Sequence, residues 1–183
     1  TAALVAYMRT KLDRWKLSIP PAHRVLRAMQ IMPALSRAKV APRIRAALLR
    51  TWWNGWSTAR RYQKQADAPG CQCMFGCLAL DSIEHYGVCR ELASFARSRF
   101  QLQAAQHNED KLAAFLALDV GLRRVDDSMQ YLRQGATLTA CAYLTHNRWR
   151  HTGRPGPRVV HQILQQTYRE LAQATEEDAT PRS

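Results

Sequence analysis

The chain has 183 residues, 46% of them hydrophobic, with a net charge of +13 and a pI near 10.2. That apolar fraction can bury a real core, which excludes disorder throughout, and no run of about 18 apolar residues exists that could span a membrane. Residues 1–70 hold 14 Lys and Arg against 2 acids while residues 71–183 hold 13 against 12, so +12 of the charge sits in the first segment and calls for a polyanion, nucleic acid ahead of a membrane surface.

Leu4, Met8, Leu12 and Trp15 recur at helical spacing with Arg9, Lys11, Arg14 and Lys16 between them, which predicts an amphipathic basic helix stopped by Pro20 and Pro21. Val25, Leu26 and Met29 share a face of a second helix from Ala22 to Met32, with Pro33 as its end. Pro42 suits the first turn of a third, lined by Ile44, Leu48 and Trp52, with Gly55 at its exit. From Ser57 to Gly70 the chain is polar and then turn-forming. Asp81 to about Ala105 reads as one long helix. Asn108 to Gly121 follows as a helix with an Asn cap and a Gly stop, and then Ser128 to about Arg150 with Asp126 or Asp127 at its N-terminus. After the "HTGRPGPR" break, Val159, Ile163, Leu164 and Leu171 define a last amphipathic helix. The expected fold class is mainly α, a helical bundle with a small zinc-binding Cys-Cys-His-Cys insertion, and a short hairpin near Cys71–Cys77 is the only candidate sheet. The regions are 1–66 (basic and helical), 67–106 (metal motif and long helix) and 107–183 (C-terminal helices), expected to form one compact unit.

Four of the five cysteines and one histidine fall between Cys71 and Cys89. Cys73, Cys77, His85 and Cys89 give C-x3-C-x7-H-x3-C, a set of soft and borderline donors of the kind tetrahedral Zn²⁺ selects. Asp81 with Glu84 resembles a capping box, which would put His85 and Cys89 at i and i+4 on one helical face. Gly76 fits the turn where two thiolates converge. Cys71 is an alternative to Cys73, and Cys141 lies in an apolar helical run and reads as core. Four protein ligands leave no open position, so the zinc would be structural.

Two segments are candidates for contacting nucleic acid. In the first, Arg60, Arg61 and Lys64 follow Trp52, Trp53 and Trp56, so cations lie beside rings that can stack on unpaired bases. Trp52 reads as core, which leaves Trp53 or Trp56, with Tyr62 as a further stacking candidate. In the second, Arg148, Arg150, Arg154 and Arg158 surround a Gly/Pro break that a phosphate backbone could follow. His23, His107 and His161 are scattered and carry no assigned role.

"CMFGC" followed by "DSIEHYGVC" resembles the zinc-binding region at the C-terminal side of reverse transcriptases from non-LTR retrotransposons. The flanks "LRTWWNGWSTARRYQ" and "AYLTHNRWRH" look like those around that cluster, so the resemblance spans roughly residues 42–155. It implies that Cys73, Cys77, His85 and Cys89 hold the zinc. The polymerase's aromatic-x-Asp-Asp hairpin is missing, since "RVDD" has Arg124 in the aromatic position, and "GRPGPR" lacks the Asp a retroelement endonuclease needs. The expected protein is therefore a non-catalytic, RNA-binding, retroelement-derived component of a large ribonucleoprotein such as a mitochondrial ribosome. Its expected partners are ribosomal RNA and neighbouring proteins, with no membrane and no small-molecule substrate. The alternative is a nucleic-acid-binding module of an active reverse transcriptase. An Arg-rich, acid-poor N-terminal region and a start at Thr1 fit mitochondrial import, with the nucleus as the alternative compartment.

Overall fold

The computed structural model describes residues 2–64, 70–100, 110–119, 125–150 and 156–179. The protein is mainly helical, and among the described residues one cluster of buried side chains runs from Met8 to Leu171. The first helix, α1 (Ala2–Leu12), lays Met8 and Leu12 into that core and packs on α2 (Pro21–Arg37). The loop between them is gathered by one buried cation. Arg24 donates to the carbonyls of Ile19 (2.6 Å), Trp15 (2.9 Å) and Leu17 (2.8 Å), so it is satisfied by backbone rather than by a carboxylate.

The second helix runs four residues past Pro33, where the sequence predicts its end. Pro33 and Met29 both lie on the exposed face, so the carbonyl that Pro33 cannot pair is open to water, and Leu35 beyond it is wholly buried. Packing of that last turn outweighs the lost hydrogen bond. Pro42 opens α3 (Pro42–Trp52) as expected, and Ile44, Leu48 and Trp52 all face the core. Three buried indoles each find an acceptor: Trp15 on the Trp52 carbonyl (3.0 Å), Trp52 on that of Leu116 (2.8 Å) and Trp56 on Thr51 Oγ1 (2.9 Å).

The long helix expected from Asp81 is broken in two, α4 (Ile83–Tyr86) and α5 (Arg90–Phe100). The break falls at Gly87, where a Cβ would stand 2.9 Å from the Leu112 Cα on α6 (Lys111–Phe115). Only a residue without a side chain lets those backbones approach so closely. Gly87→Ala is therefore expected to lower stability by about 1–3 kcal/mol, read as a shifted urea midpoint, because neither backbone can yield. A midpoint unchanged within error would mean that the contact is slack.

Asp110 rather than Asn108 caps α6, accepting from the Ala113 amide at 2.8 Å and reaching across to the Ser18 amide at 2.6 Å. Asn108 and Gly121 lie outside the described residues. The central helix, α7 (Val125–Trp149), starts ahead of Ser128 and packs on α2, α3, α5 and α6, so Asp126 and Asp127 sit in its first turn. The last helix, α8 (Pro157–Ala179), buries Val160, Ile163, Leu164 and Leu171 against α5 and α7, while Val159, expected on that face, is half exposed. Among the described residues no helix is long and apolar enough to cross a membrane.

Candidate metal centre and nucleic-acid interface

The hairpin expected near Cys71 is reduced to one antiparallel bridge, Gln72 to Leu80, flanked by Cys73 N–H to Ala79 O (2.7 Å) and Asp81 N–H to Cys71 O (2.9 Å). Between its arms the chain turns through Cys73–Cys77. Gly76 takes φ +96°, a conformation that side chains disfavour, as expected for the residue between two converging thiols. The far side of the cluster comes from α4 and its exit. Ser82 caps α4 by accepting the His85 amide at 3.0 Å, so the capping role predicted for Asp81 belongs to its neighbour. His85 and Cys89 do not share one continuous helix as predicted. A tight turn joins them, with Val88 N–H on the His85 carbonyl at 2.8 Å, and it delivers Cys89 to the N-terminus of α5.

One potential ligand atom from each of Cys73, Cys77, His85 and Cys89 lies within 4.8 Å of the others. The Cys73–Cys89 and Cys77–Cys89 sulfur separations are 3.8 and 3.5 Å. Two thiolates about 2.3 Å from a tetrahedral zinc would be about 3.8 Å apart, so the spacing fits that ion. His85 Nε2 is buried without a hydrogen-bond partner, a nitrogen that the protein leaves unused. Cys71 is buried but is not one of the converging four.

The thiols share charge unevenly. A hydrogen bond from Cys73, helped by the nearby His85 ring and the Leu92 amide, outweighs burial and lowers Cys89 to about 4. The same Cys89 contact, and then burial, raise Cys73, while burial first and Cys89 second raise Cys77. Remote from the cluster, Cys141 is pushed up to about 12 by burial alone, in keeping with a core thiol.

Behind the cluster lies a buried polar network that the sequence does not reveal. The Asp81 carboxylate accepts from the Ala59 amide (3.0 Å), from the Tyr86 hydroxyl and from His146 Nε2 (3.3 Å). Burial, and then the nearby carboxylate, raise the Tyr86 hydroxyl well above its ordinary value, so it stays a donor. Trp56 packs against both Tyr86 and His146 with ring centroids 5.1 and 5.3 Å away. These contacts tie the cysteine-bearing loop to the exit of α3 and to the end of α7.

The chain matches no known family, curated protein or solved structure.

The two basic segments meet beside this network. A cleft of about 320 Å³ is lined by Tyr62 and Lys64 from the first segment and by Arg150 from the second, with Ser57, Met74 and Asp81 in its wall. Arg60 and Arg61 line a neighbouring cavity. Arg60 pairs with Glu84 at 3.2 Å, and Arg61 donates to the Trp56 carbonyl at 3.2 Å. Trp56 is corrected from stacking candidate to core, because it is fully buried and offers no face to a base. Trp53 is partly exposed and meets Tyr7 edge-on at 5.8 Å. Arg148 is engaged by both oxygens of Glu170 (3.0 and 3.4 Å), which lowers that carboxyl and occupies the fork predicted for phosphate. Arg154 lies outside the described residues, as does the side chain of Arg158 in the first turn of α8. Tyr62, more exposed than either Trp53 or Trp56, sits next to Arg61 in the sequence, and that adjacency is the signal for it.

Proposed function

We propose that the chain is a zinc-stabilised, non-catalytic RNA-binding protein of a large ribonucleoprotein such as a mitochondrial ribosome, descended from a non-LTR retroelement. Cys73, Cys77, His85 and Cys89 hold the zinc, which fastens the loop beside the basic surface and does no chemistry of its own. The observation that carries the reading is how the basic residues of the first segment are satisfied. Arg24, Arg27, Arg45 and Arg61 donate to backbone carbonyls, which hold the side chains but leave their charge uncancelled. A segment with 14 cations and 2 acids then keeps a positive field that phosphate is suited to neutralise. Lys64 and Arg150 bring that charge to the cleft beside the cysteine cluster.

Crosslinking the native protein in its own cells and sequencing the attached nucleic acid tests this. The expected result is ribosomal RNA crosslinked at a few fixed positions. Recovery of retroelement transcript or genomic target DNA instead would make the chain a working part of its parent element and overturn the ribosomal assignment.

A further inference from the structure

We infer that the cleft between the Arg60–Tyr62 turn and the end of α7 receives one unpaired nucleotide of single-stranded RNA, its phosphate at Lys64 and Arg150 and its base against Tyr62. The inference rests on the nucleic-acid reading above and specifies the form of the ligand. Tyr62 is 59% exposed, so its ring can be reached by a base. It is also held in place. The Tyr62 amide donates to the Ala59 carbonyl at 3.1 Å, the Lys64 amide to the same carbonyl at 3.0 Å, and the Arg61 amide to Thr58 Oγ1 at 3.3 Å. With the backbone of the turn fixed, the ring gives up only its own side-chain freedom when a base stacks on it.

The shape selects a single residue of a strand. A volume of about 320 Å³ suits one small ligand and is far too small for a duplex, which could touch only the rim. Asp81 in the wall repels phosphate, so the phosphate stays at the rim with Lys64 and Arg150 while the uncharged part of the nucleotide enters beside Met74.

The test is fluorescence anisotropy with a labelled oligouridylate of about ten nucleotides and an RNA duplex of similar length. Wild-type protein is expected to bind the single strand more tightly. Tyr62→Ala should weaken single-strand binding about tenfold and leave the duplex unchanged, while Tyr62→Phe should keep both. Replacing Lys64 and Arg150 together by Ala should reduce the single-strand salt slope by about 1.4. Tyr62 is exposed, so its variants should melt with the wild type. If wild type binds both RNAs and Tyr62→Ala alters neither, the cleft assignment is overturned while RNA binding stands. If wild type binds neither RNA, the RNA reading itself falls and this inference falls with it.

Discussion

Chelating the metal, or replacing one ligand by Cys77→Ser or His85→Ala, is expected to release the ion and unfold the chain from Cys71 through α5. The structure ahead of α5 cannot stand alone, because it consists of one β-bridge, a helix of four residues and a tight turn. Zinc held by such sets contributes on the order of 10–16 kcal/mol in isolated peptides, as much as the whole stability of a typical domain. Cys73, Phe75, Tyr86 and Cys89 are also part of the main core, so the loss should spread to the bundle. Metal content by mass spectrometry and melting with and without chelator would check this. Cys71→Ser is the control and should keep the metal. Full zinc and unchanged melting in Cys77→Ser would rule the site out, and loss of zinc in Cys71→Ser would change its membership.

The uneven charge among the thiols adds a pH signature to the same result. With Cys73 and Cys77 raised, those thiols hold their protons more tightly than a free thiol until the metal displaces them. Zinc binding should then release protons, and its affinity should rise with pH because the ligands must give those protons up to hold the metal. The sign is fixed: affinity is lost as pH falls, most steeply once Cys89 is protonated too. Calorimetry in buffers of different ionisation enthalpy counts the protons directly, and a release near zero would mean that the thiols are already ionised before the metal arrives.

The helices that pack on the core are legible in the sequence because their periodicity reports burial. Ile44, Leu48 and Trp52 face inward as spaced, and Pro42 starts their helix. The convergence of Cys73, Cys77, His85 and Cys89 is legible too, because packing alone seldom gathers soft donors at turn spacing. Local rules mislead where distant contacts decide. Pro33 terminates a helix by local rule, yet packing of Leu35 carries α2 beyond it. Nothing local marks Gly87 as a close-approach site, since Leu112 supplies the reason from another helix. In "DSIEH" both Asp81 and Ser82 can cap, and Ala59, Tyr86 and His146 settle the choice by drawing the carboxylate away. Trp56 misleads for the same reason, since adjacency to Arg60 and Arg61 says nothing of which way an indole points.

Asp81→Ala is expected to cost about 3–5 kcal/mol while zinc stays bound, which separates it from the ligand variants. Asp81 is 5% exposed and its carboxylate accepts from an amide, a phenol and an imidazole, so its removal leaves three buried donors without an acceptor. Those donors come from the exit of α3, from α4 and from α7, and Asp81 is where the cysteine-bearing loop is fixed to the bundle. Tyr86→Phe deletes one of them and leaves the other two in place, so it should cost only about 1.5–3 kcal/mol, the range for a hydrogen bond to a charged group. Urea unfolding of both variants, with zinc measured in each, gives the comparison. If Tyr86→Phe proved as damaging as Asp81→Ala, the single hydrogen bond from the phenol to Asp81 would hold the junction and the contacts of the carboxylate with Ala59 and His146 would be incidental, since phenylalanine keeps the ring packing on Phe75 and Trp56 at separations of 5.1 Å. The expected order, with the aspartate the more costly loss, would instead mean that the loop carrying the cysteines is anchored to the bundle by charge-assisted hydrogen bonds that zinc does not supply. The metal would then close the loop on itself, and Asp81 would hold the closed loop against the surface that carries Tyr62, Lys64 and Arg150.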